Sequence, residues 1–121
     1  MKQLKVFFFA GLALTISLGA VAINETAQGT DGKSIFLASK CQTCHAMSAL
    51  GIARLTEAKA GEVVPADLSG VGLKRNADWI SKWLMKETDL DGKKHLKKFK
   101  GSDDELHTLA VWLGTQKAKA K

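Results

Sequence analysis

The sequence predicts an all-α protein of a few short helices joined by long loops. Ala, Leu and Lys are abundant, Tyr is absent and Pro65 is the only proline, a balance that favours helix over sheet. Trp79, Ile80, Trp83 and Leu84 recur at i, i+1, i+4 and i+5, which gathers them on one helical face. Ser102-Asp103-Asp104-Glu105 reads as a capping box, in which the serine and the glutamate each satisfy the other's backbone N–H.

Each element follows in chain order. Ile23 to Thr30 is a polar lead of small residues, expected to fray. Lys33 to Ala38 makes a short helix behind Asp31 and Gly32, with Ile35 and Phe36 facing the core. Ala46 to Leu73 carries Gly51, Gly61, Pro65, Gly70 and Gly72, the punctuation of an extended loop, with one short helix expected around Ala53 to Ala60. A loop this long in so small a domain is usually functional. Asn76 can cap a helix from Ala77 to about Lys86, and Asp89, Asp91 and Gly92 end the pattern. The helix begun by Ser102 puts Leu106, Leu109, Ala110 and Leu113 on one face and fades at Gly114. The Lys/Ala tail from Lys117 is expected to be loose.

The first 22 residues read as a secretory signal peptide. Lys2 and Lys5 form the basic end, Val6 to Leu18 is apolar apart from Thr15 and Ser17, and Ala20-Val21-Ala22 is a small-x-small cleavage site. The competing reading is an uncleaved anchor, because the apolar run approaches the lower limit of a membrane span. Cleavage after Ala22 is the expectation, with delivery to the periplasm and no stable membrane insertion afterwards. Residues 23–121 then form one domain, small enough that its own core is marginal. Of 18 basic residues two leave with the leader, so 16 remain against 12 acidic ones, a formal charge of +4. That excess is modest, and no aromatic-basic interleaving suggests nucleic acid.

Cys41-Gln42-Thr43-Cys44-His45 carries the chemistry. A CxxCH run in an exported chain is the attachment pattern of a c-type haem: two thiols one helical turn apart bond the macrocycle, and the adjacent histidine lies under the iron. A thioredoxin-like CxxC pair needs a βαβ context that is missing here. A zinc knuckle needs four ligands, whereas the chain has two cysteines and three histidines with no second paired cluster. A disulfide across two residues would be strained and close a tiny loop.

The order of these features resembles class I c-type cytochromes, the small monohaem electron carriers, over nearly all of residues 23–121. Gly32-Lys33-Ser34-Ile35-Phe36 is similar to the family's Gly-x-x-Ile-Phe helix, Pro65-Ala66-Asp67-Leu68 to its Pro-x-x-Leu segment, and Trp112-Leu113 to the aromatic-Leu pair of its last helix. The resemblance implies a cytochrome c fold: three to four short helices and long loops wrapped around one covalently attached haem c. It implies that the first and last helices cross near Gly32 and Phe36. It also implies that the Pro65 carbonyl accepts the Nδ1–H of His45, and that Arg75 and Trp79 are candidates to bind the haem propionates.

The sixth iron ligand departs from the family pattern. Leu96-Lys97-Lys98-Phe99-Lys100-Gly101 stands where the family carries Met-Pro-x-Phe-x-Gly, and leucine cannot bind iron. The neighbouring His95 can, and it is the favoured ligand. Met85 and an open position are the alternatives. Met47 lies on the His45 side, and His107 reads as a surface histidine. Two imidazoles give a lower potential than imidazole plus thioether, while an open position would bind small ligands.

Seven lysines and only three acids lie between Lys82 and Lys100. Such a run is commonly just a solvated face; around a haem edge it would steer an acidic redox partner. The sequence thus predicts a monomeric, non-enzymatic periplasmic electron carrier. Its rivals are a haem-based gas binder or sensor and the electron-transfer subunit of a larger oxidoreductase.

Overall fold

A computed structural model of the chain describes residues 31–119. The expected leader at residues 1–22 and the lead at 23–30 lie outside them. The described residues hold three α-helices, α1 (Gly32–Ala38), α2 (Ala77–Leu84) and α3 (Asp103–Gly114), and no β-strand. Between α1 and α2 run 3₁₀ turns at Cys41–Thr43, Ser48–Leu50 and Leu68–Leu73. No helix among these residues is long and apolar enough to cross a membrane.

Each helix starts on a side-chain cap. Asp31 accepts the Ser34 N–H at 3.0 Å, and Asn76 accepts the Trp79 N–H at 2.9 Å. The capping box of α3 is complete: Ser102 N–H donates to Glu105 Oε2 at 2.7 Å, and Glu105 N–H donates to Ser102 Oγ at 3.2 Å. Each cap satisfies donors that the first helical turn leaves over, so short helices start at defined residues.

Helix α3 packs against both α1 and α2. At the α1 crossing a Cβ on Gly32 would lie 2.0 Å from Trp112 Cβ, so only glycine admits this approach. The Phe36 and Trp112 rings pack beside it with centroids 5.8 Å apart at 55°. The core gathers Ile35, Phe36, Met47, Ile80, Leu109, Ala110 and Leu113. Met47 is fully buried there. His107 is exposed on α3, as the sequence predicts.

Two expectations are corrected. Residues 53–60 form no helix. The Leu55 N–H donates to Gln42 O at 2.8 Å and the Thr56 N–H to Thr43 O at 3.2 Å, so this loop spends its donors on the cysteine turn. The tail is also tied down where it leaves α3. Gly72 N–H donates to Gln116 O at 2.8 Å, and Ala118 N–H donates to Ser69 O at 3.0 Å.

Candidate haem site

The cysteine turn is built by one carbonyl. Cys41 O accepts from Cys44 N–H at 3.1 Å and from His45 N–H at 3.0 Å, which winds both cysteines and the histidine into a single turn. Lys40, in the left-handed region at φ 57°, makes the sharp entry from α1. Both cysteines are free thiols and half-buried. Burial, reinforced by the neighbouring Cys44 and opposed by a backbone hydrogen bond, pushes the Cys41 thiol up to about 11.

His45 is anchored from across the 46–73 loop. Its Nδ1 lies 2.8 Å from the carbonyl of Ala66, so Ala66 and not Pro65 provides the acceptor. Leu68 N–H donates to Ala46 O at 2.9 Å, and Ser48 N–H donates to Asp67 Oδ2 at 3.2 Å. These bonds set the register of the loop against the histidine turn. Successive carbonyls of an extended segment point to opposite sides, so a register that aims Ala66 O at the ring turns Pro65 O away. Burial lowers the basicity of His45 despite the Ala66 carbonyl, and the charges of His95 and Arg54 lower it further.

Asp67 and Ser69 make the knot that holds this loop. Asp67 caps the Leu68–Leu73 turn through the Ser69 N–H at 2.9 Å, and buried Ser69 accepts the Ala49 N–H at 3.0 Å. Burial alone would raise the Asp67 carboxyl, yet hydrogen bonds from Ser69 and Ser48 hold it down at about 2.

His95 arrives from the opposite side of the sequence. After α2 the chain reverses at Leu90–Lys93, where Leu90 N–H donates to Lys93 O at 2.8 Å and Lys93 N–H to Leu90 O at 3.0 Å. The two residues between them have φ of 53° (Asp91) and 73° (Gly92), the pair of left-handed residues that a tight Asp-Gly reversal needs. Two residues later, His95 Nδ1 lies 2.5 Å from Lys97 O. Phe99 N–H returns to Leu84 O at 2.9 Å, closing the loop on α2.

The His45 and His95 rings face one another, with centroids 6.2 Å apart and planes within 11° of parallel. A carbonyl only accepts, so in each ring Nδ1 carries a proton and Nε2 is the nitrogen left for another partner. Imidazole nitrogens bind first-row metals at about 2 Å, which sets the ring centroids of two trans imidazoles about 6 Å apart. The ring separation and the Nδ1 hydrogen bonds fit two imidazole ligands of one metal ion, and burial lowers the basicity of His45. Among the described residues no group of three or more His, Cys, Asp or Glu side chains gathers as a metal-binding cluster.

Arg75, at the mouth of α2, lies over the Trp79 indole, 4.2 Å from its centroid. Trp79 stacks on Trp83 at 5.3 Å and 16°. Trp83 in turn meets His95 edge-to-face at 5.6 Å and 64°. Met85 is the C-cap of α2. Sequence reasoning missed Ala66, Arg54, the Asp67–Ser69 knot and the Trp83–His95 contact. Only Asp67 carried a local signal, as a capping residue two positions before a serine.

No family model matches the chain, and no curated protein or solved structure is significantly similar to it.

Proposed function

We propose that this chain is a c-type cytochrome that binds one haem covalently and carries single electrons between redox partners in the periplasm. The observation that carries the reading is the facing pair His45 and His95, 6.2 Å apart, one of them directly after Cys41 and Cys44. When bound, the haem supplies a one-electron Fe(III)/Fe(II) couple; the chain's residues supply everything around it. Cys41 and Cys44 tether the macrocycle, and His45 and His95 hold the iron through Nε2. The Ala66 and Lys97 carbonyls keep each ring in the tautomer that makes it a stronger donor. Two imidazoles favour Fe(III) and give a low potential, suited to a carrier that binds no substrate. Arg75 and Trp79 remain the candidates for the propionates. The lysines of the 82–100 segment would present a cationic rim to an acidic partner.

The test is direct. Protein produced in a host that matures c-type haems should be coloured, keep its pigment in acidified acetone, and start at Ile23. Its ferric near-infrared charge-transfer band should be that of bis-imidazole ligation, and carbon monoxide should leave the ferrous spectrum unchanged. A colourless product overturns the haem reading. Rapid gas binding replaces electron transfer with the small-ligand reading.

A further inference from the structure

We infer that Trp83 is the positioning residue of the distal histidine: its indole fixes the plane of the His95 ring so that the two imidazoles stay nearly parallel. The inference rests on the reading of His45 and His95 as an axial pair and adds to it what aligns them.

The backbone of the His95 loop is tied to the end of α2 by Phe99 N–H to Leu84 O and by Lys94 Nζ to Lys86 O, each at 2.9 Å, but these bonds do not orient the His95 ring. Its neighbours Leu96, Lys97 and Lys98 are exposed, and its Nδ1 contact is to Lys97 O, only two residues away. A local bond of that kind moves with the loop and cannot by itself hold a ring against the rest of the protein. Trp83 belongs to the scaffold. It lies on α2, one turn beyond Trp79 and next to buried Ile80, and that helix packs on α3. The indole meets the imidazole at 5.6 Å and 64°, within the range of a favourable edge-to-face pair. Behind it the Trp79 stack at 5.3 Å and the Arg75 guanidinium, 4.2 Å over Trp79, hold the indole in place.

His45 has a different anchor, the Ala66 carbonyl on a loop pinned by Asp67 and Ser69. The two rings are oriented by independent parts of the fold, yet their planes agree within 11°. The ladder from Arg75 through Trp79 and Trp83 is what supplies that agreement on the distal side.

The experiment uses the haem-loaded protein with Trp83→Leu, Trp83→Met and Trp83→Phe, alongside His95→Ala. Electron paramagnetic resonance of the ferric state reads the angle between imidazole planes: near-parallel rings give three resolved g values, and crossed rings give a single large-g feature. Wild type and Trp83→Phe should give the resolved signal. Trp83→Leu and Trp83→Met should lose most of the resolved signal and shift toward the large-g feature, as expected from loss of the indole contact on the His95 ring. Two ringless variants guard against one that fails to fold. Unchanged g values in a ringless variant overturn the role of Trp83 and leave the axial pair standing. A His95→Ala spectrum identical to wild type overturns the axial pair, and the inference falls with it.

Discussion

Gly32 and Trp112 meet with no room for a methyl group between them, since a Cβ on residue 32 would fall 2.0 Å from Trp112 Cβ. The contact locks α1, and with it the cysteine turn that follows, to α3. Gly32→Ala should therefore force the helices apart and cost about 2 kcal/mol, within the usual range for overpacking. Thermal and denaturant unfolding should show a lower midpoint with an unchanged m-value.

His95→Ala should convert the ferric protein from low spin to high spin and let the ferrous protein bind carbon monoxide rapidly. His95→Met should stay six-coordinate, with its potential raised on the order of 0.1 V out of the about 0.8 V that axial ligands span. His107→Ala, on the exposed face of α3, should change neither spectrum nor potential. Spectra and redox titration of the three variants check the assignment.

Removing the thiols separates tethering from ligation. The Cys41→Ser/Cys44→Ser double variant should surrender its pigment to acidified acetone while His45 and His95 still bind free haem. Each single variant should retain one thioether and show a shifted pyridine haemochrome band.

Asp67 links pH to stability. Hydrogen bonds from Ser69 and Ser48 prevail over burial and hold its folded value at about 2, below the roughly 3.9 of an unfolded aspartate. A depressed folded value stabilises above the unfolded one, so the contribution is complete above about pH 4 and lost as pH falls through about 2. Asp67→Asn should cost on the order of 1 kcal/mol at neutral pH, allowing for solvent screening, and nothing near pH 2. Unfolding midpoints of both proteins across this window give the comparison.

Lys93, Lys94, Lys97, Lys98 and Lys100 are exposed on the loop that carries His95. Lys97→Glu/Lys98→Glu should slow oxidation of the ferrous protein by hexacyanoferrate(III) about five- to tenfold at low ionic strength. The difference should shrink toward 1 M salt, where the screening length falls to about 3 Å. Equal rates at low salt would remove this face from partner encounter.

The sequence by itself determined the helices and the cysteine–histidine turn. Asn76 and the Ser102–Glu105 box start α2 and α3 where sequence reading expects them, because caps act within one helical turn. The spacing of Cys41, Cys44 and His45 is likewise local, set by a single carbonyl. The tertiary structure decided whatever depends on register between distant segments. It gave the His45 hydrogen bond to Ala66 in place of Pro65, unwound the expected helix at 53–60 onto the cysteine turn, and sent Met47 into the core. It also set Trp83 against His95, the histidine that the sequence already favoured opposite His45. Residues tens of positions apart meet only through competition among loop hydrogen bonds and core packing, and no local pattern records which of those bonds prevails.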